Sequence, residues 1–171
     1  MKKDYIVYLA ALIDGEGSIQ FKRERKSFCR IPAITIISTT PELVDWLPNT
    51  FGGSVFQEKL KDRDRAPIAY RYTVQRQSAL DMFKELKKYM RSINKLARIQ
   101  MLLSRWQVVN KNSPQDMKDK AATLELDFFR EYGHKGKIIH LSDCVLEFLK
   151  SHPEMAITNY EVGKGPISTK I

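Results

Sequence analysis

The stretch from residue 5 to residue 24 constrains this chain more than any other. Residues 5–13, Tyr-Ile-Val-Tyr-Leu-Ala-Ala-Leu-Ile, are uninterruptedly apolar and follow Asp4, a candidate N-cap, so they read as a helix. A helix that is apolar on all sides belongs between layers and not on a solvated face. Asp14-Gly-Glu-Gly17 ends it, the glycines suiting a C-terminal turn. Residues 18–24 then alternate, with Ile19 and Phe21 on one face and Ser18, Gln20, Lys22 and Glu24 on the other. That is the pattern of a half-buried strand.

The remaining pattern extends this start into a fold. A charged turn through Lys26 leads to a second strand near 30–38. Thr40-Pro-Glu starts a helix through Leu43, Val44 and Leu47 that ends near Phe51-Gly-Gly53. Strands follow at about 54–61 and 68–75. The latter alternates cleanly, Ile68, Tyr70, Tyr72 and Val74 against Ala69, Arg71, Thr73 and Gln75. The former is less regular, because Glu58 falls on the apolar side. From Ser78 the period is helical, giving segments near 78–89, 92–109, 114–132 and 141–151. The expected class is α+β, in the order α-β-β-α-β-β-α, with one antiparallel sheet backed by helices and extra C-terminal helices. At 171 residues a single domain is expected, over 1–152, with a tail at 153–171 that has no clear pattern.

Charge narrows the partner. Lys and Arg number 29 against 20 acids, a net charge of +9, with a pI near 9.5. Such a surface attracts polyanions: nucleic acid first, an anionic membrane surface behind it. The basic residues fall on strands instead of one amphipathic helix, which disfavours the membrane. Cys29 and Cys144 have no metal-ligand or redox spacing, so the expected setting is a reducing, intracellular one, cytoplasmic or in an organelle with its own genome. The apolar stretch 5–13 is too short to span a membrane and lacks a cleavage site for secretion. His134, His140 and His152 form no zinc or HNH cluster, and Glu85-Leu-Lys87, which mimics part of a PD-ExK site, lies on a helical pattern.

Leu9-Ala-Ala-Leu-Ile-Asp-Gly-Glu-Gly17 resembles the signature helix of the LAGLIDADG homing endonucleases, departing only at Ala11 for Gly, Gly15 for Ala and Glu16 for Asp. Ile36-Ile-Ser-Thr-Thr-Pro-Glu-Leu-Val with Phe51-Gly-Gly resembles the family's second strand and helix. Tyr89-Met-Arg-Ser-Ile-Asn-Lys-Leu-Ala97 resembles the loop entering a later helix. His140-Leu-Ser-Asp-Cys-Val-Leu-Glu-Phe-Leu149 resembles a C-terminal helix of the single-motif, chloroplast-type members.

The resemblance implies a saddle-shaped sheet and two signature helices packed side by side, each ending at the scissile phosphates. One signature occurs here, so the second comes from another copy, giving a two-fold homodimer on a nearly palindromic DNA duplex. Leu9, Ala10, Ala11, Ile13 and Asp14 are the expected interface, with small residues allowing close approach. Glu16 stands where the family carries its metal-binding acid, and the Gly15 carbonyl is the second ligand. The cofactor implied is Mg²⁺, with Mn²⁺ able to substitute. The reaction implied is phosphodiester hydrolysis leaving short 3′ overhangs. Glu16 also lies just past a helix C-terminus, where the macrodipole disfavours an anion, which itself points to a cation beside it. Asp14 reads as a brace for the helix end ahead of a metal ligand. Ser38 occupies the position of a water-ordering side chain. For the phosphate-stabilising lysine the closest register gives Ile93, leaving Lys95 or Arg91 to substitute.

DNA contacts are expected from the polar sheet face, because a two-stranded ribbon fits the major groove. The candidates there are Gln20, Lys22, Glu24, Lys26, Gln57, Lys59, Lys61, Arg71 and Thr73. Arg30, Lys135 and Lys137 are candidates for phosphate contacts. The alternative from another class is an intron maturase or DNA-binding regulator that keeps the fold without cutting. Such a protein has no need of an acid at position 16.

Overall fold

In the structure, a computed structural model that describes residues 3–24, 27–59, 68–133 and 140–157, the apolar N-terminal segment forms helix α1, Lys3–Gly15. Asp4 falls within its first turn and not at the cap, where its charge faces the positive end of the helix dipole. Ile6, Leu9, Ala10 and Ile13 are buried, at the i, i+3, i+4, i+7 spacing of one helix face. The burial expected all round α1 therefore holds for one side only.

Four strands make one antiparallel sheet: β1 (Gly17–Lys22), β2 (Ile31–Ser38), β3 (Ser54–Lys59) and β4 (Ile68–Gln75), in the order β1-β2-β4-β3. Between β2 and β3 the continuous helix expected from Thr40 is instead a short 3-10 turn, Pro41–Leu43, and a five-residue helix α2, Leu47–Phe51. The backbone leaves helical geometry at Val44 (φ −125°), and Pro48 lacks the N–H a longer helix would use. Gly53, at φ 87°, tightens the turn into β3. A Cβ there would lie 2.5 Å from the Thr73 carbonyl oxygen, so only glycine fits. Helices α3 (Arg76–Leu86) and α4 (Ile93–Arg105) follow the sheet, then α5 (Gln115–Tyr132), α6 (Asp143–Ser151) and a 3-10 turn, Pro153–Met155.

The described residues form two compact units. One draws on Met1–Lys22 and Ile31–Ser104, the other on Arg23–Arg30 and Arg105–Ile171. In the first, α1 and α3 pack on the sheet and on each other. Its core holds Leu9, Ile13, Ile19, Ile34, Ile36, Tyr72, Phe83 and Leu86, all fully buried. Each such aliphatic or aromatic side chain contributes on the order of 1.5–3 kcal/mol by leaving water.

The second unit has its own core of Phe28, Cys29, Ala122, Leu126, Leu141, Cys144, Val145 and Phe148. A polar cluster is sealed inside it. Glu125, fully buried, takes hydrogen bonds from Arg30 Nε (3.0 Å), the Ser142 N–H (2.9 Å) and the Ser142 hydroxyl. The Arg30 guanidinium also donates to the His140 carbonyl and lies over the Phe129 ring, 4.6 Å from its centroid. Arg30 is thus a partner in a buried ion pair and not a surface phosphate contact, because its charge is already neutralised inside its own unit. Among the described residues no helix is long and apolar enough to cross a membrane.

Candidate functional site

The end of α1 is built by accounting for its carbonyls. A helix leaves its last four C=O groups without intrahelical donors. Here the Glu16 N–H returns to the Leu12 oxygen at 2.8 Å, and Lys95 Nζ, from the first turn of α4, donates to both Ile13 O and Asp14 O at 2.7 Å. The Gly15 carbonyl is left open, with no hydrogen bond to it among the described residues. Beside it Glu16 is exposed, and no hydrogen bond or ion pair engages its carboxylate among the described residues. Two acceptor groups therefore stand open together at the negative end of a helix dipole.

The backbone here is held from both sides. Gly17 lies so close to α1 that a Cβ would sit 2.7 Å from Ile13 Cα, so only glycine lets the chain turn straight from helix into strand. Neither Gly15 nor Gly17 has a positive φ, so α1 does not end in the left-handed glycine turn the sequence suggests. Asp14 turns its carboxylate to the other helix, accepting the N–H groups of Arg91 (2.6 Å) and Ser92 (3.2 Å) just ahead of α4. It is a brace. Both its oxygens are engaged at the N-terminal end of α4, where an anion is favoured.

Strand pairing decides which side chains share the polar face. Ser18 lies opposite Thr35, Gln20 opposite Ala33 and Lys22 opposite Ile31. Thr35 in turn pairs with Thr73, and Ile37 with Arg71. Directly opposed residues point to the same side. Gln20 is fixed on that face by donating to Ser18 Oγ (2.9 Å) and accepting from Thr35 Oγ1 (3.2 Å). Gln57 and Lys59 are displaced from it, since they pair with Tyr70 and Ile68 and so point to the opposite side. Phe56 and Glu58 take their places. Glu58 accepts two hydrogen bonds from Arg71, from Nε at 2.9 Å and Nη2 at 2.6 Å. Sequence alternation had put Glu58 on the apolar side, and its nearness to an arginine on the next strand was the available signal. Glu24 lies beyond the end of β1, in the second unit. Lys26, Lys61, Lys135 and Lys137 lie outside the described residues.

No protein family's sequence profile matches the chain, and no curated protein sequence does. Solved structures do. The homing endonuclease I-CvuI, in complex with its target in the presence of calcium, superposes with a TM-score of 0.61 at 18% identity, over 86% of this chain and 93% of that one. The archaeal intron-encoded homing endonuclease I-Vdi141I, complexed with DNA, gives 0.55 at 15% identity, over 90% and 99%. The chain has the LAGLIDADG homing-endonuclease fold.

Within that LAGLIDADG fold, the β1–β2 register pairs Gly17 with Ile36, so Ser38, two residues past that pair, lies at the end of the sheet where α1 runs into β1. The Ser38 hydroxyl accepts the Thr40 N–H at 3.0 Å and keeps its own proton to donate. Glu16, Gly15, Ser38 and Lys95 are thus gathered at one end of the sheet. The expected interface residues are not all accessible. Leu9, Ala10 and Ile13 are buried in their own core, because that face of α1 meets the sheet. The outer stripe is Val7 (42% exposed), Tyr8 (45%), Ala11 and Gly15.

Proposed function

We propose that this chain is a homodimeric, metal-dependent endonuclease that cuts a long, nearly two-fold symmetric duplex site. The observation that carries the reading is the pair of unengaged acceptor groups, the Glu16 carboxylate and the Gly15 carbonyl, at an otherwise fully satisfied helix end. Among the described residues no cluster of three His, Cys, Asp or Glu exists that could cage a metal alone. One carboxylate and one carbonyl suit Mg²⁺ or Mn²⁺, which take oxygen donors and keep waters and phosphate oxygens in their shell. When bound, such a cation supplies Lewis acidity at the phosphate and lowers the pKa of water.

The chain's own residues do the remaining work. Glu16 and Gly15 hold the cation at the end of α1. Lys95 pins the carbonyls just before them, and its charge offsets the helix dipole that would otherwise repel Glu16. Ser38, at the same end of the sheet, keeps a hydroxyl proton with which it can orient a water. The polar face of β1, β2 and β4 sets the register of the duplex through Gln20, Lys22, Arg71 and Thr73. The second copy is supported by the exposed stripe of α1. Ala11 and Gly15 are small, and a methyl group at Gly15 would meet nothing within 4 Å, so another helix backbone can come close.

Selection from a randomised duplex pool in Mg²⁺, followed by mapping of the cut ends, tests this directly. The expected product is one preferred site with two related halves and short 3′ overhangs. Glu16→Gln is expected to bind the selected duplex without cutting it. A wild-type protein that binds the site and never cuts would instead be a maturase or regulator on the same fold.

A further inference from the structure

Besides the buried Ile31 and the half-buried Ile37, the polar sheet face carries one large apolar side chain that is exposed. Phe56 pairs with Arg71, so its ring projects on the side that carries Ser18, Gln20, Thr35 and Thr73, and it is 58% exposed. A lone exposed phenylalanine is ordinary on a protein surface, so exposure by itself decides nothing. Its position does. β3 is an edge strand, and among the described residues no strand of the sheet lies beyond Phe56. The core-facing side of the same strand was open to it, since Gln57 and Lys59 point that way instead.

The two charged neighbours of Phe56 on this face are locked to each other. Arg71 stands opposite it and Glu58 two residues along its own strand, joined by the two-pronged pair at 2.9 and 2.6 Å. Glu58 takes Nε–H and one Nη2–H, which fixes the plane of the guanidinium and leaves its other N–H donors to an outside acceptor. A donor fork, an acceptor and a flat apolar group thus stand side by side. The major-groove edge of DNA offers the complement: purine N7 and O6 acceptors, the cytosine amino donor, and a single kind of apolar group, the thymine C5 methyl.

We propose that Phe56 reads the methyl group of a thymine, one in each half-site, beside the base pair engaged by Arg71. This rests on the nuclease reading above and adds to it a specificity-determining residue that takes no part in cutting. Arg71 and Glu58 select by hydrogen bonding, and Phe56 selects by burying a methyl group that cytosine and uracil lack. Its contribution carries no charge, so it is insensitive to salt, unlike that of a phosphate contact.

The test uses the full chain and the duplex selected from the random pool, with binding followed by fluorescence anisotropy in Ca²⁺. Each thymine of the site is replaced singly by deoxyuridine, which removes one methyl group and nothing else. In the wild type, one replacement per half-site is expected to weaken binding by roughly threefold to tenfold, the scale of one buried methyl group. In Phe56→Ala the same replacement is expected to have no further effect, while the salt slope stays at the wild-type value. Phe56→Leu, which keeps an apolar side chain on the strand, is expected to retain part of the methyl dependence and guards against misfolding of the alanine variant. Equal deoxyuridine penalties in wild type and Phe56→Ala would overturn the assignment, as would a Phe56→Ala loss that is uniform over all sequences. If the pool yields no bound duplex, the nuclease reading fails and this assignment with it. If the wild type binds and cuts but is indifferent to every methyl group, only the role of Phe56 fails.

Discussion

Lys95 and Asp14 cap each other's helices. Lys95 Nζ, from α4, holds the Asp14 carbonyl at 2.7 Å at the end of α1, while the Asp14 carboxylate receives two N–H groups at the start of α4. Each charge sits at the helix end whose dipole it opposes. Lys95 is thereby a positioning residue for the backbone that presents Gly15 and Glu16.

Lys95→Met and Asp14→Asn should each cost about 1–3 kcal/mol of stability, the range for losing hydrogen bonds to a charged group. Because both act on one junction, the double variant should fall short of the sum by at least about 0.5 kcal/mol. Urea unfolding of the four proteins measures this. Strict additivity would mean that the two caps are independent.

Arg30→Met should leave DNA binding and its salt slope unchanged but destabilise the second unit by about 3–5 kcal/mol. Its loss strands Glu125, fully buried, as an unpaired charge. A reduced salt slope with unchanged melting would restore Arg30 to the phosphate-contacting set.

What the sequence disclosed and what it hid divide along physical lines. Strand alternation and helical period located α1, the four strands and α3 to α6 to within a few residues, because burial of one face writes a period into the chain. The end of α1 was legible as well, since Asp14-Gly-Glu-Gly17 puts an acid where a helix dipole disfavours one. The face assignment of β3 was not. Its alternation is broken at an edge strand, so pairing with β4, and not hydropathy, decides that Glu58 joins Arg71 and that Gln57 leaves the polar face. Nor could Arg30 be told from a surface cation, because its partner Glu125 lies 95 residues away. Long-range ion pairs leave no local period.

Ala11→Leu should weaken self-association while leaving the fold intact, since Ala11 is exposed on the outer stripe of α1 and is not among its buried residues. Light scattering of wild type and variant reads the difference. A variant that melts far below the wild type, or a wild type that is monomeric both free and on DNA, would count against the helix-pair interface.

Arg71→Ala should relax base preference at two symmetry-related positions, one in each half-site, by roughly 1–3 kcal/mol per good contact. Glu58→Gln should blur the same positions by freeing the guanidinium it orients. A selection profile altered in one half only would contradict two identical sheets on one duplex.

A hydrogen bond with Cys144 and burial push the Cys29 thiol well above the ordinary range. The unfolded thiol ionises near about pH 8.5, so the stability tied to this proton is intact below that value and is lost as pH rises above it. Cys29→Ala should therefore make the alkaline decline in stability shallower, by up to about 1.4 kcal/mol per pH unit. Identical slopes in both proteins would show that the thiol titrates alike folded and unfolded.

The segment between β1 and β2 belongs in space to α5 and α6: the Phe28 carbonyl accepts the Cys144 N–H at 3.2 Å, and Arg23 meets Asp143 across 120 residues of chain. During synthesis this loop leaves the ribosome long before its partners exist. Phe28 and Cys29 wait, apolar and uncovered, until α6 has been made. A ribosome that stopped after residue 104 would release a sheet whose first hairpin ends in an orphaned hydrophobic loop, and not a smaller version of the same protein. The C-terminal helices thus close their core on a loop made about a hundred residues before them.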